Sequence, residues 1–304
     1  MKQFRFKEFF RKLHQKKGIR LTVYALWNIL FPFVGFYTHF IEPRRLHISH
    51  IPIPIKNLPK VFEKFRIVQV SDIHFGPTNL CVSFLKKCVE QINHLKPDLI
   101  VLTGDFMQWD SHYARPLADL LAHLKARCGK FASLGNHDYG VCHPGHPPTD
   151  PVDYREVISR LHEKGITVLH NQAATIDHGG DRMRIVGVGD FWTDHFKPEA
   201  AFSHLRSPDG GSSSPTILLS HNPDSIHDLS RYPFDLMLSG HAHGGQISLP
   251  FIGPLAVPIK ERHLRKGLHR LYERWLYVNR GLGSIFKARL LSRPEITCLE
   301  LIPA

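Results

Sequence analysis

Carboxylates, an amide and imidazoles, the groups that hold divalent metal ions, are gathered in five short segments of this sequence. They read Asp72-Ile73-His74, Gly104-Asp105, Gly135-Asn136-His137-Asp138, Ser220-His221 and Gly240-His241-Ala242-His243. Carboxylate and amide oxygens suit hard divalent ions, and imidazole nitrogen adds affinity for Mn, Fe and Zn. Two such ions about 3.5–4 Å apart would polarise a phosphoryl oxygen and generate a nucleophile for in-line attack. Holding two cations that close requires a shared anion. Asp105 is the candidate: it is the acid in the middle of the series and follows a glycine that lets the backbone approach closely. Taken singly, an Asp after a strand is a turn or cap and a lone His is a surface or core residue. The ordered set of five is what points to a dinuclear centre.

The elements that must position these groups are also visible. Each segment follows a short apolar run, at residues 67–70, 99–102, 131–134, 217–219 and 236–238. Runs of that length bounded by turn-forming residues are read as buried strands. Every ligand would then lie just past the C-terminal end of a strand, where open α/β folds gather their ligands. Between the runs, Leu85, Cys88, Val89 and Ile92 fall on one helical face, as do Leu117, Leu120, Leu121 and Leu124, and then Val157, Ile158 and Leu161. Strands alternating with such helices imply βα units around a central sheet. After Leu169 the apolar runs 173–176, 183–188, 275–278 and 296–301 read as further strands, whose order the pattern does not give. Residues 207–215 and 141–151 read as loops, the second stiffened by four prolines.

The order D-x-H, G-D, G-N-H-D, H, G-H-x-H resembles the calcineurin-like metallophosphoesterase family, and the match covers about residues 65–302. The resemblance implies an α/β (α+β) fold, a two-sheet sandwich flanked by helices, with the four later strands in the second sheet. It also implies that Asp72, His74, Asp105 and His243 hold one metal while Asp105, Asn136, His221 and His241 hold the other. His137 would be the catalytic histidine that binds no metal. Negative charge grows on the phosphoryl oxygens and the leaving group needs a proton, so a histidine beside the metals fits that task. Asp138, next to it, is expected to orient its imidazole. Mn is the expected metal, with Fe and Zn as alternatives.

The frame around this core is a chain of 304 residues, enough for one sizeable α/β domain and an appendage, with 42% hydrophobic residues. That composition is ordinary for a folded protein, and nothing in the sequence points to a disordered or repeat protein. Five cysteines at irregular spacing, none in a C-x-x-C arrangement, argue against a disulfide framework or zinc ribbon, which fits a reducing compartment. Residues 2–20 carry eight Lys or Arg and one acid, with Phe6, Phe9, Phe10 and Leu13 on one side, the pattern of a basic amphipathic helix on an anionic membrane. The next 21 residues, 21–41, contain no charged side chain, although Asn28, Pro32, Gly35 and His39 interrupt the run. The expected organisation is thus a membrane-associating segment at 1–45, a connector at 46–64 and a catalytic domain at 65–304. No small-residue cleavage site or twin-arginine signal accompanies the run. A surface-lying segment would leave the catalytic domain on the cytoplasmic face of a bacterial inner membrane, and a spanning one would export it.

Longer signatures narrow the resemblance. His221-Asn222-Pro223-Asp224-Ser225, Gly240 to Gln246, Asn279-Arg280-Gly281-Leu282-Gly283 and Arg293-Pro294-Glu295 resemble a membrane-associated bacterial phosphodiesterase branch of the family. Residues 37–44, with Ile41-Glu42-Pro43, are similar to the segment that joins anchor to catalytic domain there. One member type of that branch hydrolyses UDP-2,3-diacylglucosamine to UMP and 2,3-diacylglucosamine 1-phosphate in lipid A biosynthesis, so a lipid-linked nucleotide diphosphate is the expected substrate. Basic residues 260–266 beside the apolar-rich stretch 247–259 suit such an amphiphile, and Arg280, Arg289 and Arg293 are candidates for its phosphates. The alternatives are a generic membrane-associated phosphodiesterase, a basic nuclease and a non-enzymatic scaffold. Nucleic acid is not the expected partner, because it leaves the apolar run unexplained despite the net charge of +12. A scaffold with a retired site would have lost a ligand, and none is missing.

Overall fold

The structure is a computed structural model that describes residues 32–76, 80–108, 110–145, 148, 152–203 and 214–304. Most of the expected membrane-associating segment therefore lies outside the described residues. Among those described, no helix is long and apolar enough to cross a membrane.

In chain order, strand β1 (His47–Ile55) precedes β2 (Arg66–Val70), α1 (Val82–His94), β3 (Leu99–Thr103), α2 (Ala114–Leu121), β4 (Lys130–Ser133), α3 (Tyr154–Glu163) and β5 (Thr167–Val168). There follow β6 (Gln172–His178), β7 (Asp181–Gly187), α4 (Pro198–Ser203), β8 (Thr216–Leu219), α5 (Ile226–Leu229) and β9 (Leu236–Ser239). A small hairpin of β10 (Ser248–Leu249) and β11 (Gly253–Pro254) leads to β12 (Gly267–Leu271), β13 (Arg274–Val278) and β14 (Glu295–Pro303). One six-stranded sheet has the order β1-β14-β2-β3-β4-β5 and the other β12-β13-β9-β8-β7-β6.

The period of two along the strands sorts their side chains into three apolar layers. From β2 and β3, Val68, Val70, Ile100 and Leu102 face α1, α2 and α3, whereas Ile67, Leu99 and Val101 face the second sheet. The second sheet answers with Ile185, Ile217, Leu219, Leu236 and Leu238, and turns Val186, Leu218 and Met237 outward onto α4 and α5. The result is the expected two-sheet sandwich between helices. α1 buries the expected face, Leu85, Cys88, Val89 and Ile92. α3 starts where the Asp153 carboxylate accepts the Arg155 N–H at 2.9 Å, a side-chain cap on its first turn.

One expectation about sheet membership is corrected. Residues 296–301 belong to the first sheet, where β14 runs antiparallel to β2 and parallel to β1. Both faces of β14 are apolar, Ile296 and Cys298 toward the helices and Leu299 and Leu301 toward the second sheet. Either sheet would bury such a strand, so its pattern did not select one. The expected connector, 46–64, also contains a strand of 9 residues. β1 pairs residue for residue with β14 from His47↔Glu295 to Ile55↔Pro303, and Ile53 and Ile55 are buried between the sheets. Pro52 and Pro54 argue against a strand only in a sheet interior. The His47 N–H reaches Pro294 O at 2.8 Å, so odd-numbered N–H groups face β14 and both prolines fall at the open edge.

Candidate metal centre

Strands β2, β3 and β4 are mutually parallel, as are β8 and β9, so the five segments emerge at matching strand ends. Asp72 and His74 follow β2, Asp105 follows β3, Asn136 to Asp138 follow β4, His221 follows β8, and His241 and His243 follow β9. The loops are tied to each other by their backbones: Asp72 N–H to Gly104 O, His74 N–H to Asp105 O and Gly240 N–H to His221 O, all at 2.9 Å. Asp72, His74, Asp105, His241 and His243 all have positive φ, between 46° and 66°. Non-glycine residues rarely adopt that conformation, and it concentrates at functional sites where the surroundings over-determine it. Close approach needs glycine as expected. A Cβ on Gly104 would lie 2.7 Å from His221 Nδ1, and one on Gly240 would collide with the Asp72 carboxylate.

The ligand atoms fall into two groups that share one residue. Asp72, His74, Asp105 and His243 form the first and Asp105, His221 and His241 the second, with atoms in each lying within 4.8 Å of one another. Asp105 Oδ2 is 3.5 Å from His74 Nε2 and 3.1 Å from His221 Nε2, the position of a bridge. His74 Nε2 lies 3.1 Å from His243 Nε2, and His243 Nε2 lies 3.4 Å from Asp72 Oδ1. Asn136 donates its amide to Val141 O at 2.6 Å, which leaves its Oδ1 buried without a partner. Buried polar atoms without partners are few in folded proteins and call for an explanation such as an ion. The donor set, oxygen and imidazole nitrogen around a shared carboxylate, fits two divalent ions.

The electrostatics of three imidazoles agrees with that use, while the two acids beside His221 favour its charged form as long as no cation neutralises them. Burial holds His74 and His241 down at about 3 and His243 well below the ordinary histidine range, so three imidazoles are neutral, the form that ligates metal. Burial also opposes charge on His221, but Asp105 and Asp72 outweigh it and raise that histidine well above its usual value. Burial pushes Asp72 up to about 7. Second contacts fix the rings: His221 Nδ1 meets Thr103 O at 2.6 Å, and His241 Nε2 meets Pro258 O at 3.1 Å. The His241 backbone N–H is given to Asp72 Oδ1 at 3.0 Å.

His137 lies outside both groups. Its backbone N–H is donated to Asp105 Oδ1 at 2.9 Å, and its ring stands edge-on to His74 at 4.9 Å. Asp138 does not orient that ring. Its carboxylate accepts the N–H groups of Phe106 at 2.7 Å, Met107 at 3.0 Å and Gly135 at 2.9 Å, locking the loops after β3 and β4 together. The three candidate arginines all have partners within the protein. Arg280 forms a two-pronged pair with Glu295 at 3.0 and 3.1 Å. Arg289 is 1% exposed and donates from both terminal nitrogens to the carbonyls of Arg280, Gly281, Gly283 and Ser292, so it organises the loop before β14. Arg293 reaches His47 Nδ1 at 3.1 Å.

Sequence reasoning missed Asp190, fully buried with Oδ2 unpartnered, which burial raises to about 6 and which interacts with His221 and Asp105. Its signal was present, since Gly189-Asp190 follows an apolar run as Gly104-Asp105 does. Trp192, beside it, stands edge-on to His241 at 4.3 Å. Glu42 was read only as part of a joining segment. It is buried, and its Oε1 accepts the Ser292 N–H at 2.7 Å, fastening residues 37–44 to the loop that Arg289 organises.

Comparison with known proteins agrees with this geometry. Residues 65–245 match the family model described as calcineurin-like phosphoesterase. The chain is 35% identical over 315 residues to the UDP-2,3-diacylglucosamine pyrophosphatase LpxG of Chlamydia trachomatis, covering 88% of this chain and 92% of that one. It is also 35% identical over 242 residues to the phosphodiesterase YaeI of Escherichia coli, covering 78% and 82%. A metallophosphoesterase of Bacillus subtilis, YkuE, is 34% identical over 269 residues, covering 87% and 88%. Since the matched residues include every one of the five segments and both ligand groups that the fold brings together, the chain belongs to the calcineurin-like phosphoesterase family and is a metal-dependent hydrolase of phosphoric esters.

Proposed function

We propose that this enzyme hydrolyses the diphosphate of a lipid-linked nucleotide, UDP-2,3-diacylglucosamine, to UMP and 2,3-diacylglucosamine 1-phosphate at a bacterial inner membrane. The observation that carries the reading is the similarity to LpxG, which runs over 88% of the chain and so reaches well beyond the metal-binding core. The exposed basic residues Lys260 and Arg262 and the apolar loop before them support an amphiphilic anion. The equal identity to YaeI favours a second reading, a phosphodiesterase with another substrate.

In this proposal Asp72, His74, Asp105 and His243 hold one ion and Asp105, Asn136, His221 and His241 the other, with Mn as the metal. Bound there, two divalent ions supply Lewis acidity toward a phosphoryl oxygen and lower the pKa of the attacking water. The protein's own groups do the rest. The left-handed loops hold the ligands in place before substrate arrives, so little reorganisation accompanies reaction. Water adds to phosphorus and loses a proton to solvent, the anhydride P–O bond breaks with its electron pair leaving on the departing phosphate oxygen, and His137, at the 6%-exposed edge of the site, donates a hydrogen bond to that oxygen. Asp138 keeps the His137 loop against the Asp105 loop, which makes it a positioning residue.

The test is a parallel assay of purified protein with Mn²⁺ against UDP-diacylglucosamine, bis-p-nitrophenyl phosphate and single-stranded DNA, with Asp105→Asn as the blank. UMP release is the expected result. Turnover of the simple diester alone would replace this reading with the second one.

A further inference from the structure

Among the described residues, large apolar side chains that are exposed occur almost entirely on neighbouring segments at the metal end of the molecule. Phe33, Phe36 and Phe40 project from residues 32–41, Ile285 and Phe286 from the loop before β14, and Phe251 and Ile252 from the β10–β11 turn. Backbone hydrogen bonds make these segments neighbours: Arg289 N–H to Thr38 O at 3.0 Å, Leu290 N–H to Gln246 O at 2.9 Å and Ser248 N–H to Leu290 O at 2.9 Å. Outside these segments are Val82, at the start of α1, and Tyr272, at the β12–β13 turn. The turn of Tyr272 is the distant one. Because β13 runs parallel to β9, whose far end carries His241, that turn lies at the opposite end of its sheet.

Exposed apolar clusters rimmed by charge mark interaction surfaces, and the sign of the rim tells what kind. Here it is predominantly positive, with Glu261 the partly exposed acid between Lys260 and Arg262 and held by His227 Nε2 at 2.8 Å. Residues 32–45, 247–260 and 282–293 contain one acid, Glu42, which is buried on the Ser292 N–H. Arg44 and Lys287 face a cleft of about 350 Å³ between residues 39–44 and 282–289, whose floor residue Gly283 donates its N–H to Asp72 O at 2.7 Å. Arg262 lies against the hairpin, donating to Pro254 O at 2.7 Å. The chain enters this face at residue 32 directly from the uncharged stretch 21–31 and the eight Lys or Arg of residues 2–20.

We infer that these segments are a docking face by which the catalytic domain itself lies on an anionic lipid bilayer, phenylalanines in the interface and cations at the headgroups. The inference rests on the proposed membrane association and adds to it a defined orientation, metal centre toward the lipid. A bilayer fits better than a protein partner, because the apolar groups stand on a helical segment and two exposed loops beside the cations and match the interfacial pattern of aromatic and basic residues.

The test uses the full chain with vesicles of phosphatidylglycerol carrying brominated acyl chains. Phe286→Trp adds one emitter to the docking face and Tyr272→Trp adds one at the far end; both positions are exposed, and unchanged bis-p-nitrophenyl phosphate turnover verifies folding. The expected result is loss of about half of the added Phe286→Trp emission, none of the Tyr272→Trp emission, and weaker quenching with brominated phosphatidylcholine. Sedimentation with vesicles without quenching at position 286 would keep the association and overturn the docking face, as would equal quenching at both positions. Equal quenching in phosphatidylcholine would overturn the anionic assignment, and failure to sediment would overturn association and face together. None of these readouts depends on which phosphoester is cleaved.

Discussion

His137 differs from the histidines around it in what its side chain has left to do. Its main chain serves Asp105 while its ring belongs to neither ligand group. His137→Ala is therefore expected to lower turnover of bis-p-nitrophenyl phosphate by about 100- to 10,000-fold while metal content by elemental analysis stays near wild type. Loss of metal in that variant would make it a ligand instead. Asp138→Asn is expected to act through stability, because an amide presents a donor where three N–H groups seek an acceptor. A loss of about 2 kcal/mol in urea unfolding is the expected size. At this scale the residues that the fold gathers into the two groups were legible because residue type and position after an apolar run are both sequence properties. Asp138, Arg280 and Arg289 were not, because the use of a carboxylate or guanidinium depends on what lies across from it, and those partners come from other segments.

Elements carry the strain and the fastening. The left-handed residues after β2, β3 and β9 persist because loop-to-loop hydrogen bonds hold them, and the Arg280–Glu295 pair anchors the start of β14 beside them. Glu295 also accepts from Tyr277 and Ser49, and although burial opposes its charge, Arg280 holds its carboxyl below the usual range. The sign follows: this carboxylate contributes stability above the ordinary carboxylate range and loses it as pH falls through the depressed folded value. Glu295→Gln should cost about 3 kcal/mol at neutral pH, and its urea midpoint should converge with wild type only in acid. A gap that persists at acid pH would assign the loss to packing. The strands bearing the motifs were legible from their apolar runs, and α1 from its periodicity. β1 was hidden by prolines that an edge tolerates, and β14 was misassigned because two buried faces do not say which sheet buries them.

At the scale of the molecule, the metal centre lies where both sheets end, so ion binding ties the loops of one sheet to those of the other. Chelation should lower the thermal midpoint, and readdition of Mn²⁺ should restore it; an ion at 100 times its Kd contributes about 2.7 kcal/mol. An unchanged midpoint, with metal shown to be removed, would mean that the loops are held by protein contacts alone. The placement of β14 between β1 and β2 has a further consequence, for biosynthesis. β2 is made early, yet the neighbour on one of its edges is made after every other strand. At roughly 5–20 residues per second of translation, that edge waits roughly ten to fifty seconds beside a β1 with no partner at all. During that interval two apolar strand edges are open to other nascent chains, so the yield of folded enzyme should depend on chaperone supply and translation rate more steeply than its final stability would suggest.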